Sequence, residues 1–483
     1  MTHSDHRQDM AAIDVVIMAA GKGTRMKSRL PKVLHKLAGR PMLAHVLEAT
    51  AALGARSAVI ITGHGATKVE AFCAEWKGAK SKNHAESMAL RTVRQEPQLG
   101  TGHAVQQAEP VLPDDGVTLV LNGDTPLVRA ETLRQLIALC DGSRVALLTV
   151  DTGADAGAYG RIVRNAGGAD APVQAIVEAK DATPGQRALT EWYSGVMAAP
   201  TALLQKYLAL LTDDNAQKEF YLTDVVKHAV ADGTPVQALR IGDAVEVAGV
   251  NSPVQLAELE RGLQLRQAHA LMEAGVRIAD PARFDLRGTL ECGPDVEIDV
   301  GCIFEGQVCL ADDVRIGAHC VIANARIEAG AVIHPFTHID GGQQGVVVGP
   351  SALVGPYARL RPGAQLGAEV HIGNFVEIKN STLAAGAKAN HLAYLGDATV
   401  GERVNYGAGS ITANYDGANK HRTVIEADVH VGSNCVLVAP VTLGAGGTVG
   451  GGSTITQSTP PGALSVARGR QVSFPNWSRP VKK

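Results

Sequence analysis

An excess of charge of one sign is missing from this chain: 45 Lys and Arg stand against 48 Asp and Glu in 483 residues, a net charge of −3. Without a basic face, general nucleic-acid binding is excluded and only a local basic pocket stays open. Long apolar runs are missing too. No stretch approaches the roughly 18 apolar residues of a membrane span, and the N-terminal "MTHSDHRQDM" has no apolar core ahead of a cleavage site. The expectation is a soluble, cytoplasmic protein without membrane insertion. Aromatic residues are scarce at 4%, and the seven cysteines (73, 140, 292, 302, 309, 320, 435) form no CxxC pair. They read as thiols of a reduced compartment, buried as small apolar side chains rather than metal ligands.

What is present is ordinary globular material, 45% hydrophobic and 19% charged, long enough for two or three domains. Glycine is the exception, at 53 residues against a usual share of ~7%, and its distribution is uneven. Between 13 and 250, β-branched runs ("IDVVIMAAG", "SAVIITGHG", "VTLVLNGD", "RVALLTV") end in glycine or Asp, with amphipathic stretches at 41–53 and 130–140 between them. That alternation predicts an α/β domain, a mostly parallel Rossmann-like sheet whose ligands bind at the carboxyl ends of the strands. Ser252-Pro253 supplies a helix cap, Gly275 a stop, and Leu256, Leu259, Leu263 and Leu271 a stripe, so 252–274 reads as a linking helix.

Beyond it an aliphatic residue recurs every six positions: Ile298, Phe304, Leu310, Ile316, Ile322, then Val348, Val354, Leu360, Leu366, Ile372, Ile378, then Val431, Leu437, Leu443, Val449, Ile455. Period six suits neither an α-helix nor an isolated strand. It fits a parallel β-helix in which each hexad is one flat side, the aliphatic residue points inward and small residues turn the corners. A glycine-rich sandwich would give period two instead. The domains are therefore 1–251, 252–274 and 275–483.

The loop "MAAGKGTRM" (18–26) follows the first strand. It fails the dinucleotide spacing GxGxxG and the P-loop spacing GxxxxGK[ST]. What remains is a glycine-rich turn able to face phosphates, flanked by Lys22, Arg25 and Lys32. Asp124 follows a buried strand, where either a Mg²⁺-binding carboxylate or a turn Asp belongs. Gly100-Thr101-Gly102 forms a second glycine turn, and Gly160, Glu178 and Asn251 sit in further polar segments.

These segments, with "LPKVL" carrying Lys32, resemble the sugar-1-phosphate nucleotidyltransferases. Their order is similar, nearly end to end, to the bacterial family of bifunctional N-acetylglucosamine-1-phosphate uridyltransferases/glucosamine-1-phosphate acetyltransferases. The resemblance implies that Met18, Ala19, Ala20, Gly21, Gln95, Gly100, Thr101, Asn122 and Gly123 hold UTP. Gly160, Glu178 and Asn251 would line the sugar side, Asp124 and Asn251 would bind Mg²⁺, and Arg25 and Lys32 would neutralise phosphate charge. Two departures stand out: Asn122 where the family often has Tyr, and Tyr193 in "EWYSGVM" where it usually has a sugar-contacting Asn.

The β-helix could be scaffold alone, or a trimerisation module. His391 argues otherwise, because it sits where polar residues interrupt the hexads, near Arg361, Glu377, Lys379 and Asn405 and the polar excursion "TANYDGANKHRT". A histidine is an apt base for freeing an ammonium sugar to attack a thioester, cations would grip its phosphate, and Glu377 could support the ring. By the resemblance, His391 is the general base and Arg361, Lys379, Tyr394, Asn405 and Lys420 hold glucosamine 1-phosphate. Ala408, Asn414, Tyr415, Ser433, Gly451 and Arg468 would lie along acetyl-CoA, with Gly451 replacing a common Ala. It further implies a left-handed coil, a homotrimer with sites between subunits, and "NWSRPVKK" as an arm crossing to a neighbour.

Overall fold

The structure, a computed structural model, describes residues 12–76, 88–153, 156–165, 168 and 171–482, so "MTHSDHRQDM" lies outside the described residues. The chain divides into two compact units, Met1–Gly262 and Leu263–Lys483.

In the first unit the four β-branched runs become the strands Ile13–Ala19, Ser57–Thr62, Val117–Asn122 and Val145–Asp151. Consecutive residues such as Val15, Val16 and Ile17 are all fully buried, because helices cover both faces of the sheet. The strand order is Val236–Ile241, Val145–Asp151, Glu191–Pro200, Val117–Asn122, Ile13–Ala19, Ser57–Thr62, Ala89–Arg94. Helices Met42–Ala52 and Ala130–Cys140 occupy the two amphipathic stretches. Along this order Glu191–Pro200 runs antiparallel to both neighbours, and off it Arg161–Arg164 pairs antiparallel with Glu191–Pro200 and with Val173–Val177. Met18 pairs with Asn122, so the loops after these two strands leave the sheet side by side.

Helix Pro253–Glu273 begins as its cap requires, with Ser252 Oγ accepting from the backbone N–H of Gln255 at 3.2 Å. The division between units falls inside it. On the first side Glu260 accepts from the N–H of Ala38 at 2.7 Å. On the second, the fully buried amide of Gln264 donates to Leu286 O (3.0 Å) and accepts from Leu286 N (2.7 Å). The leucine stripe gave no hint of this polar anchor.

The second unit is a parallel β-helix. Every inward position of the three hexad series is buried, with 4% exposure or less. Parallel registers such as Leu353↔His371, His371↔Lys388 and Lys388↔Asn405 stack one coil on the next. Strand Val321–Ile327 turns a corner, pairing with both His338–Asp340 and Val346–Val348, and so joins two flat sides. After Ile378 the inward position steps early to Leu383, which is why the six-residue rhythm breaks there in the sequence.

One column of corners differs from expectation. Along it His319, Phe336, Tyr357 and Phe375 hold left-handed φ of 59°, 60°, 56° and 56°. Such a φ costs a non-glycine residue about 1–2 kcal/mol. Their rings stack with centroids 5.2, 5.0 and 5.4 Å apart, and that stacking offsets part of the cost. Phe336, Tyr357 and Phe375, three of this chain's few aromatics, thus mark a corner column. Cys73, Cys140, Cys302, Cys320 and Cys435 are buried. Among the described residues no helix is long and apolar enough to cross a membrane.

Candidate active sites

The first site is a cleft of about 450 Å³ at the carboxyl ends of the strands. Met18, Ala19, Ala20, Gly21, Lys22, Lys32, Gln95, Gln98, Gly100, Thr101, Asn122 and Asp124 line it. Gly123 stands between the last two, its N–H donating to Met18 O at 2.9 Å. Gly100 is obligatory: its φ is +111°, and a Cβ there would lie 2.6 Å from Phe220 O. The buried Gln95 amide donates to Gly100 O at 2.9 Å, and Thr101 Oγ1 accepts from the N–H of Leu222 at 3.1 Å. The second glycine turn is therefore clamped from both ends.

At the mouth of the central strand the Lys32 ammonium bonds to Asp124 Oδ2, and to Asn251 Oδ1 at 3.1 Å. Asn251 reaches the site because Val250 N–H donates to Asp124 O at 3.0 Å. A carboxylate oxygen and an amide oxygen thus converge on one cationic point. Arg25 is exposed and takes no part in lining the cleft, whereas Lys22 does. Gln98 carries no motif signal; its amide donates to Ala20 O at 2.6 Å and ties down the glycine-rich turn.

Glu178 accepts from Thr223 Oγ1 at 3.1 Å, and a Cβ on Gly160 would stand 3.7 Å from Glu178 Oε1. Burial pushes the Glu178 carboxyl above the usual glutamate range. Tyr193 is 6% exposed, within the apolar core, and its hydroxyl has no hydrogen-bond partner among the described residues. Burial, then the nearby Glu178, raises that phenol.

The second site lies on one flat side of the β-helix, where strands Glu377–Lys379, Tyr394–Gly396 and Ile411–Ala413 pair in turn. His391 stands just before this side. Its Nδ1 is 3.0 Å from Asn374 Oδ1 on the preceding coil, a contact that orients the ring. Glu377 does not support the ring. It pairs with Arg361 Nη1 at 2.8 Å and Arg359 Nη1 at 3.4 Å.

The corner at His391 continues as a column. Gly409 N–H donates to His391 O (3.2 Å), Asn434 N–H to Ala408 O (2.7 Å) and Gly452 N–H to Ser433 O (2.8 Å). Arg468 Nη1 then donates to Gly451 O at 2.6 Å. Ala408, Ser433, Gly451 and Arg468, scattered over 61 positions of sequence from 408 to 468, therefore follow one another below His391. Asn405 lies on the adjoining flat side, in register with Lys388 and His430.

At the far end of the flat side three cations meet. The Lys379 ammonium is depressed below the usual lysine range, first by its hydrogen-bond-range contact with Lys420, then by burial, then by the charges of Lys420 and Arg361. Like charges pressed together in this way make a seat for an anion. Tyr394 lies between the two ends, its hydroxyl over Gly396, where a Cβ would meet it at 2.2 Å. The excursion is a short hairpin closed by a Tyr415↔Lys420 bridge, with Asn414 8% exposed at its base.

Known proteins bear on both units. Residues 15–226 match the MobA-like NTP transferase domain family, and 345–380 match six bacterial transferase hexapeptide repeats. The Bifunctional protein GlmU of Paracidovorax citrulli (strain AAC00-1) is 70% identical, over 98% of this chain and 99% of that protein. Its namesake in Polaromonas naphthalenivorans (strain CJ2) is 72% identical, over 98% of each chain. The chain belongs to the bifunctional GlmU family. It is accordingly an enzyme with two activities, a uridyltransferase matched by the nucleotidyltransferase domain and an N-acetyltransferase matched by the hexapeptide repeats. Against that membership, Asn374 and Gln98 are the two site neighbours that motif reading passed over. "GNFVE" and "EPQLG" held no signal for them, because each acts on a residue from a distant segment.

Proposed function

We propose that the first-unit cleft transfers UMP from UTP to N-acetylglucosamine 1-phosphate, and that the His391 side acetylates glucosamine 1-phosphate beforehand. The observation that carries this is the arrangement along one flat side: a histidine held at Nδ1 by Asn374 stands at one end, above a column of backbone carbonyls, and three cations stand at the opposite end. A phosphate on Arg361, Lys379 and Lys420 would present its sugar amine toward His391. Nε2 takes the amine proton as nitrogen attacks the thioester carbonyl, and the departing thiolate of coenzyme A leaves as thiol. Tyr394 and Asn405 would bound the sugar, and Asn414, Tyr415, Ala408, Ser433, Gly451 and Arg468 the acetyl-CoA.

In the cleft, a sugar phosphate oxygen attacks the α-phosphorus of UTP in line and pyrophosphate leaves. The nucleophile is already ionised, so positioning and charge neutralisation supply the rate. Gly100, Thr101 and Gln95 would fix the nucleotide, Lys32 and Lys22 would meet the phosphates within the cleft with Arg25 adding positive charge from the exposed turn beside it, and Glu178 with Gly160 would face the sugar. The paired oxygens of Asp124 and Asn251 fit Mg²⁺, which binds through one or two protein oxygens with substrate phosphates completing its shell. Mg²⁺ there would neutralise the charge that develops on the phosphates.

The tail supports a trimer. Val472, Phe474, Trp477 and Val481 are 71, 76, 69 and 91% exposed, a run of apolar side chains suited to a neighbouring subunit. A cytoplasmic enzyme acting on small molecules accords with these features. The test is thiol release: the protein with acetyl-CoA and glucosamine 1-phosphate liberates free coenzyme A, and a scaffold-only β-helix would liberate none.

A further inference from the structure

The excursion hairpin carries Tyr415 and Lys420, and at its exit Arg422 donates to Thr399 Oγ1 at 2.8 Å and to Ala398 O at 3.3 Å. We propose that Asp397 is the positioning residue of the acetyl-transfer site, clamping both ends of this hairpin so that Lys420 meets Lys379 and Asn414 faces the flat side. This rests on the acetyltransferase reading above.

Asp397 ends strand Tyr394–Gly396 and turns the next corner in a left-handed conformation, φ 51°. It is 6% exposed, a buried carboxylate, and its partners are specific. Oδ1 accepts from the Asn380 amide of the preceding coil, and Oδ2 accepts from the Asn414 amide at the hairpin's entry. Its backbone carbonyl accepts from Thr423 N–H at the hairpin's exit, at 3.2 Å. Its own N–H donates to Lys379 O at 3.1 Å. Entry strand, exit strand and the phosphate-facing lysine therefore converge on one residue.

Electrostatics give the reason for a carboxylate rather than an amide. Burying an ionised Asp against two neutral amides is costly unless positive charge lies close by. Here the Lys379 ammonium provides it, and Asp397 in turn offsets a small part of the lowering that Lys420, burial and Arg361 impose on Lys379. The tip of the hairpin is fastened separately. Asp416 accepts from the N–H groups of Ala418 (2.8 Å) and Asn419 (2.7 Å), and His421 Nε2 lies 2.7 Å from its other oxygen. The tip is thus tied within itself, and Asp397, with Arg422 at the exit, sets the stance of the hairpin.

The test uses full-length Asp397→Asn and Asp397→Ser, compared with the unsubstituted chain. Asn keeps the size of the side chain but presents an amide to at least one incoming amide donor; Ser removes the carboxylate and leaves a short hydroxyl in place of the two oxygens that meet Asn380 and Asn414. Both variants should raise the KM for glucosamine 1-phosphate about tenfold or more, with a smaller fall in kcat, as expected for loss of a charged hydrogen-bond anchor. Trypsin should cut after Lys420 or Arg422 sooner than in the unsubstituted chain, while uridyl transfer stays unchanged. An unchanged KM with an unchanged cleavage pattern would overturn the proposal. So would loss of the β-helix unfolding transition in both variants, since Asp397 would then be needed for the fold rather than for placement. If the unsubstituted chain itself released no thiol, the acetyltransferase reading would fall, and the trypsin comparison would still judge the clamp.

Discussion

Lys32, Asp124 and Asn251 are separated by 92 and 127 positions and meet at one point, so each should be indispensable to the same half-reaction. Asp124→Ala removes the only carboxylate of that trio and strands the Lys32 ammonium. Pyrophosphate release should fall by about a hundredfold or more, with acetyl transfer unaffected. Glu178 gives a prediction with a definite sign. Burial holds its carboxyl above the ordinary value of 4.5, so the folded state binds the proton more tightly than the unfolded one. The stability this contributes is complete below about 4.5 and is lost as the pH rises through the folded value. Glu178→Gln should therefore melt higher than the parent chain near pH 7 in a thermal scan, and the gap should close toward pH ~4. At this scale the sequence was legible where chemistry shows in residue type. His391 stood out because polar residues interrupt a strict repeat. Its partner Asn374 did not, because adjacency across a coil depends on the register Asn374↔His391 and not on any local pattern. The mistaken support role of Glu377 has the same origin: proximity in sequence suggested a contact that the flat side directs to Arg361.

Elements were legible in proportion to how regular their burial is. The hexads succeeded because every inward residue must fill the same narrow interior, and the run Val348 to Ile378 is buried without exception. Leu360→Ala should accordingly destabilise the second unit by about 2–5 kcal/mol in urea unfolding. Phe375→Ala, on the aromatic corner and 56% exposed, should cost about 1 kcal/mol or less, because only stacking is lost. A larger loss at Phe375 than at Leu360 would contradict this account of the interior. The corners were legible only in part. Small residues do turn some, as Gly330, Gly363 and Gly386 show with left-handed φ, but along one column stacked rings take their place, since neighbour-to-neighbour stacking leaves no trace in linear spacing. Strand Glu191–Pro200 was hidden for a different reason. It is covered on both faces and carries neither alternation nor a glycine stop to fix its direction.

For the whole molecule, two units with separate cores imply two reactions that can be separated by mutation and recombined by mixing. His391→Ala and Asp124→Ala proteins, each unable to make UDP-N-acetylglucosamine alone from glucosamine 1-phosphate, acetyl-CoA and UTP, should make it together, with the acetylated sugar phosphate passing through solution. Family membership was legible end to end, because both units keep their signature segments in order. The clamp at Asp397 was not, being a property of three coils and a hairpin at once. The most direct measurement is the pair of half-reactions assayed on His391→Ala. The account predicts acetyl transfer lost by about a thousandfold or more with uridyl transfer at the parent rate. Near-normal acetylation by that protein would contradict it.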